Sequence, residues 1–372
     1  MELTAAPIAT RSQTLRSIEA ARAVAALCVV LMHGANLMQP AQLSGRTGLG
    51  GIFDFGYVGV DFFFVLSGFI ITWVHVDALG SGVSSIGDYL WRRFTRIYPI
   101  YWTILLMSIA ISVLARVATH RTPLFDVGPG DFASTFLLWI GAAGEPKYVG
   151  VAWSLKYEVM FYLLFCSLLL SRRWGALFLT AWAVAIVGEG VGLWAPWLPT
   201  GMASFQCLEF LGGIALALWI HKRGAQASRF QLVLVALALV AAVIFETHGP
   251  FPPHGNAGRM ALGLASAALL YVLVGLEQAG RIRPPRALSK LGSVSYSVYL
   301  GHCLFIGLTY QVLAAAGLYR MLPEWLNYVI AVGIAVTIST LIGLRIELPL
   351  VRKLKNLRST QRSERPGASL PT

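Results

Sequence analysis

The sequence predicts an all-α membrane protein, a polytopic bundle of about ten transmembrane helices with both termini in the cytoplasm. Three observations carry this. Of 372 residues, 56% are hydrophobic and only 12% charged, where soluble chains average about a quarter charged, and the mean hydropathy is +0.67. Crossing some 30 Å of hydrocarbon takes roughly 20 apolar residues, and runs of that kind recur at 17–38, 54–77, 98–117, 150–170, 174–193, 203–220, 230–246, 258–277, 293–316 and 324–348. The basic residues, finally, fall on alternate sides of these runs.

With the N-terminus inside, the inner segments hold most of the 29 Lys and Arg. They include Arg92, Arg93 and Arg96; Lys222, Arg223 and Arg229; Arg281, Arg283, Arg286 and Lys290; and Arg352 through Arg365. That bias follows the positive-inside rule. The net charge of +12 is therefore an orientation signal, and nucleic acid is not an expected partner. The organisation expected is an inner tail over 1–16, a transmembrane domain over 17–350, and a basic, disordered inner tail over 351–372. No small-residue cleavage site follows the first run, which is expected to stay in the mature protein. The four cysteines stand singly inside apolar runs with no metal-ligand spacing, and no metal is expected. Between the third and fourth runs, DFASTFLLWIG (131–141) is too short to span and reads as an interfacial or re-entrant helix. The outer loops QPAQLSGRTGLGGIFD, WAPWLPTGMAS and THGPFPPHGNAG are rich in Gly, Pro and aromatic residues, suited to turns and shallow interfacial burial.

Polar groups inside the runs need a partner, a wet cavity or a function, since a charge at mid-bilayer costs at least about 2.5 to 3.5 kcal/mol. In the first run Arg22 and His33 are eleven residues apart. Eleven residues make close to three turns, which puts both on nearly one helix stripe about 16 Å apart. They line an internal path, or else they are a snorkelling arginine and a packed histidine. The second run, GVDFFFVLSGFIIT, contributes Asp61, with Ser67 and Gly68 allowing close helix approach. WRRFTRIYP then sets Arg92, Arg93 and Arg96 at the inner face, suited to bidentate phosphate binding or to anionic lipid. The fourth run opens VAWSLKYEVMFYLL. Here Trp153 fits an interfacial anchor, Ser154 and Glu158 share a helix face, and Glu158 is a candidate acid, base or histidine partner, or half of an ion pair. In SVSYSVYLGHCLF, Ser295, Tyr299 and His302 follow helical spacing as a polar seam. Glu189 and Glu209 are weaker membrane carboxylates.

Taken in order, Arg22 with ten residues before His33, GVDFFFVLSGF, Arg93 and Arg96 before IYP, WSLKYEVMFYL and SYSVYLGH resemble the acyltransferase-3 family of integral-membrane O-acyltransferases. The resemblance covers about residues 16 to 352. It implies a cytoplasmic acyl-CoA donor, usually acetyl-CoA, with no permanently bound cofactor. It also implies an acceptor hydroxyl on a surface or exported polysaccharide or its lipid-linked precursor, and residence in the bacterial inner membrane beside lipids and polysaccharide-assembly proteins. By motif it implies that His33 is catalytic, that Arg22 is its partner in donor binding or in site architecture, and that Arg93 and Arg96 are the family's paired arginines, placed to bind the donor. Asp61 or Glu158 would orient the imidazole, and Trp153, Ser154, Tyr299 and His302 would complete the signature. Lys156 and Tyr157 depart from the small or acidic residues common there. Some relatives carry a C-terminal esterase-like domain that this sequence lacks, so transfer is expected directly or through a separate protein. A transporter or flippase for a lipid-linked sugar would also bury ionisable groups in ten helices, but the runs show no repeated halves with interrupted helices. A structural partner in polysaccharide export would leave Arg22 and His33 dispensable.

Overall fold

The computed structural model describes residues 15–40, 43–118, 120, 127–140, 147–198, 201–248 and 255–363. Its helices are α1 (Arg16–Asn36), α2 (Val58–His75), α3 (Ile86–Ala118), α4 (Pro129–Leu137), α5 (Trp153–Leu170), α6 (Arg172–Gly190), α7 (Gln206–Arg223), α8 (Arg229–His248), α9 (Asn256–Gln278), α10 (Arg286–Ser293), α11 (Ser295–Ala315), α12 (Leu318–Met321), α13 (Glu324–Ile342) and α14 (Leu348–Ser363). No strand occurs among the described residues, and the all-α expectation holds. Each of the ten apolar runs is helical. Eight helical segments are long and apolar enough to cross a membrane. The other two runs form α6 and α7, of 19 and 18 residues, whose ends carry Arg172, Arg173 and Glu189, and Glu209, Lys222 and Arg223, so that the apolar stretch between is short.

Two other expectations change. The third helix does not begin at 98: α3 is 33 residues long, about 50 Å at 1.5 Å per residue, and the three arginines of WRRFTRIYP stand on helix ahead of an internal Pro99. Nor is the chain disordered from 351 on, because a π-helical segment, Gly343–Glu347, joins α13 to α14 and the helix continues to Ser363. Val351 and Leu354 give its first turns an apolar side that is half-buried while Arg352, Lys353 and Lys355 stay exposed. The final ERPGASLPT and the loop stretch 249–254 lie outside the described residues. The short apolar run between the third and fourth spans is α4, which starts at Pro129 and stops at Leu137, before the expected limit of 141, because Leu138 turns left-handed.

The chain divides into two compact units, crossing between them repeatedly. The first comprises 1–32, 52–80 and 171–293. Here α2 packs closely along α7, and glycine allows it. A Cβ on Gly68 would lie 2.0 Å from the Phe210 carbonyl oxygen, and one on Gly213 would lie 2.0 Å from that of Val65. With both side chains reduced to hydrogen, the backbones approach to packing distance. Phe62, Val65 and Phe69 of α2, Ala217 and Ile220 of α7, and Leu270 and Val274 of α9 then fill one core. The start of α1 is capped from α9: the Glu277 carboxylate accepts from the Arg16 N–H at 2.7 Å, the Ser17 N–H at 2.9 Å, and the Ser17 hydroxyl. A carboxylate there meets both the orphan donors and the positive end of the helix. Along α8, Phe230, Val233, Leu237, Val240 and Ile244 are exposed, a row suited to lipid and out of place in water.

The second unit comprises 33–51, 81–170 and 294–372. Here α11 packs along α13, and α3 holds α4. Three donors of α3 satisfy the orphan carbonyls at the C-terminal end of α4: Tyr101 OH reaches Thr135 O at 2.6 Å, Trp102 Nε1 reaches Phe136 O at 3.0 Å, and Tyr98 OH reaches Leu137 O at 2.9 Å. Trp102 also stacks on Phe136.

Gly213→Leu should lower the unfolding temperature in detergent sharply, since backbone on the opposing helix cannot move aside as a side chain can; overpacking typically costs about 1 to 3 kcal/mol. At Gly212, where a Cβ meets nothing, Gly212→Ala should be neutral or mildly stabilising. Equal effects at the two positions would contradict backbone contact as the cause.

Candidate functional site

The second unit gathers most of the motif residues, and α11 is the element that orders them. Tyr296, Ser297, Tyr299 and His302 are all buried, and each meets a different partner. His302 meets His33. Its Nε2 lies 3.3 Å from His33 Nδ1, the ring centroids are 5.0 Å apart, and its Nδ1 lies 3.1 Å from the Val298 carbonyl oxygen. A carbonyl can only accept, so Nδ1 of His302 carries the proton. With the rings neutral, Nε2 of His302 is then an acceptor, His33 Nδ1–H donates to it, and the lone pair of His33 falls on Nε2. His302 is fully buried and His33 half-buried.

One turn earlier, Tyr299 OH lies 2.9 Å from Ser154 Oγ and donates to the Val151 carbonyl at 3.2 Å. Ser154 thereby joins the α11 seam, while its expected face-mate Glu158 accepts from Tyr162 OH at 2.5 Å. Trp153 packs edge-on against Tyr157. Lys156 is buried. Ser295, the first residue of the expected seam, is buried with no hydrogen-bond partner for its hydroxyl among the described residues.

The two motif arginines separate. Arg96 Nη1 donates to Glu347 Oε1 at 2.9 Å and lies over the Tyr296 ring, while Glu347 Oε2 accepts from the Ser297 N–H at 3.2 Å and hydroxyl at 2.6 Å. Arg96 is therefore committed to a buried carboxylate. Arg93 lies between the rings of Tyr89 and Tyr162, 5.6 Å from each centroid, and its Nε has no hydrogen-bond partner among the described residues. Exposed Arg92 and Lys355 of α14 adjoin it. Glu347 went unremarked in the sequence, because a carboxylate near the end of a run reads as surface. The signal was there in GLRIELPL, where Glu347 follows an apolar residue in the last span.

Asp61 belongs to the first unit, and its partner there is Arg259, with Nη1 to Oδ1 at 2.6 Å. Each of Asp61, Glu209 and Arg259 is the fourth residue of its helix, in α2, α7 and α9, so three helix N-termini meet around one guanidinium and two adjoining carboxyls. Tyr57 donates to Glu246 nearby. The expectation that Asp61 or Glu158 orients His33 thus meets other arrangements: Asp61 is engaged by Arg259, Glu158 by Tyr162, and the ring set against His33 is that of His302. Arg22 stands half-buried on α1, which is unbroken from Arg16 to Asn36 and so keeps the stripe relation to His33.

Residues 15–344 match the acyltransferase-3 family, described as an acyltransferase domain. The chain belongs to this family. It is 30% identical over 327 residues to the exopolysaccharide production protein ExoZ of Rhizobium meliloti, covering 83% of this chain and 93% of that protein. It is 27% identical to the acyltransferase MdmB of Streptomyces mycarofaciens over 78% of this chain and 79% of that one. The peptidoglycan O-acetyltransferase OatA of Listeria monocytogenes is 25% identical over 80% of this chain and 50% of its own length. No solved structure matches. This acyltransferase is an integral membrane enzyme of the O-acyltransferase type.

Arg259→Met should destabilise the first unit by about 3 to 5 kcal/mol, because it strands the buried Asp61 carboxylate. Adding Asp61→Leu should restore part of the loss in thermal unfolding. Strict additivity of the two changes would show that the pair is not coupled.

Proposed function

We propose that the protein moves an acyl group, acetyl in the simplest case, from cytoplasmic acyl-CoA to a hydroxyl of a cell-surface or exported polysaccharide or its lipid-linked precursor. His33 Nε2 is the general base. The observation that carries this reading is the proton chain from the Val298 carbonyl through His302 to His33 Nδ1, which leaves Nε2 with the lone pair. As the acceptor oxygen attacks the thioester carbonyl carbon, Nε2 takes its proton. The C–S bond breaks, and the same proton passes to the departing CoA sulfur, so no proton is gained or lost overall. His302 is a positioning residue, occupying the place that a carboxylate holds in catalytic triads.

Arg93, Arg92 and Lys355 form the cationic end of the site and take the phosphates of the donor; planar guanidinium groups suit phosphate geometry. Arg96, neutralised by Glu347, contributes less to donor charge and more to holding α3 against α11. Arg22 lies on the same α1 stripe as His33 and serves the donor's course. The names of ExoZ and OatA support a saccharide acceptor. The placement of the basic residues supports both termini inside, and the family supports residence in the bacterial inner membrane.

With purified enzyme, acetyl-CoA and acceptor, His33→Ala should lower kcat by about 10²- to 10⁴-fold, and His302→Ala should lower kcat with little change in donor KM. Arg93→Gln should instead raise the acyl-CoA KM by about 10-fold or more, the worth of a charge-assisted hydrogen bond. Near wild-type transfer by folded His33→Ala would sink the assignment. The acceptor can be read by NMR of exopolysaccharide from cells with and without the gene, in which a lost acyl ester is expected.

A further inference from the structure

The pair of imidazoles has a third neighbour. Cys303 is the residue after His302 on α11, and its sulfur, one ring nitrogen of His33 and one of His302 all lie within 4.8 Å of one another. Cys303 is a free thiol, half-buried, as is His33, while His302 is fully buried. We infer that His33, His302 and Cys303 form a binding site for a soft divalent transition metal, Zn²⁺ by preference, and that occupation of the site switches the enzyme off. The inhibitory half of this inference rests on His33 being the base, as argued above.

Two imidazoles and one thiolate, with a fourth position open, match the tetrahedral preference of zinc. Around tetrahedral zinc two ligating nitrogens stand about 3.3 Å apart, and a nitrogen and a sulfur about 3.6 Å apart. The His33 Nδ1 to His302 Nε2 distance is already 3.3 Å, and Cys303 Sγ, within 4.8 Å of a nitrogen of each ring, closes the remaining gap by side-chain rotation. A supporting group is also in place: ligating histidines commonly donate their second ring N–H to a backbone carbonyl, and His302 Nδ1 does so to Val298. Entry is from the side of the half-buried His33 and Cys303.

Inhibition follows from the tautomer. In the metal-free pair His33 carries its proton on Nδ1 and its lone pair on Nε2. A metal between the rings takes the lone pair of His302 Nε2 and requires one from His33 Nδ1 as well. The His33 proton then moves to Nε2, where the acceptor's proton would have gone, and the thiol proton of Cys303 is released to solvent. Hard cations such as Mg²⁺ and Ca²⁺ prefer oxygen ligands and should have no effect.

The test uses the full chain purified in detergent after chelator treatment. Buffered Zn²⁺ should inhibit transfer, EDTA should reverse it, and Mg²⁺ should do nothing. Cys303→Ser should raise the half-inhibitory Zn²⁺ concentration at least about tenfold while leaving the rate in EDTA unchanged. An unchanged half-inhibitory concentration would overturn the site. Should that variant fail to fold, Co²⁺ titration of the wild-type chain decides: tetrahedral cobalt with a thiolate-to-metal absorption band is expected, and its absence overturns the proposal. Cobalt bound with that band but with transfer unimpaired would leave the metal site standing and refute His33 as the base. No cobalt spectrum, together with an inactive His33→Ala, would refute the metal site and leave the base intact.

Discussion

The rule that an apolar bundle must answer its own polar groups governs this molecule more than any single contact. Water is not available inside the spans to solvate a guanidinium, a carboxylate or an imidazole, and several of these groups are met by another side chain or by backbone. Asp61 takes Arg259, Glu347 takes Arg96 and Ser297, Glu158 takes Tyr162, and His302 takes Val298 and His33. Such partners leave few ways to arrange the helices, because moving one strands a polar group on another.

On α11 that constraint becomes chemistry. The helix carries four polar contacts within seven residues, from Tyr296 beside Arg96 to His302 beside His33. Those seven residues span about 9 Å and so set the distance between the arginine end of the seam and the histidine pair. The carbonyl of Val298 would in any helix bond only to the amide of His302. That it also accepts the Nδ1 proton fixes one ring, and that ring fixes the next. The tautomer of His33 is thus inherited from helix geometry through His302.

A good deal of this was legible in the sequence, unevenly. Ten helical runs, the pairing of Arg22 with His33 on one helix and the role of Gly68 as a point of close approach follow from period and side-chain size, which are local. The ends of α3 and α14 were misjudged for the opposite reason. Clusters of arginine and lysine look like loop and tail, yet both residue types are good helix formers, and apolar neighbours such as Ile97 and Leu354 give those turns a side to bury. Within the site, the sequence offered His33, Ser154, Tyr299 and His302 without saying which would touch. It offered Asp61 and Glu158 as partners for His33 because carboxylates are the usual partners of imidazole.

By itself the sequence determined that this chain is a helical membrane bundle and which residues are too costly to be there without purpose; composition and spacing suffice for that. Only the tertiary structure decided who pairs with whom. His33 and His302 are separated by 269 residues, Asp61 and Arg259 by 198, and Arg96 and Glu347 by 251. No local period reaches so far, and in each case several buried groups of suitable charge were available. The choice among them is made by which helix faces pack together, a property of the whole bundle's shape and not of any stretch of chain.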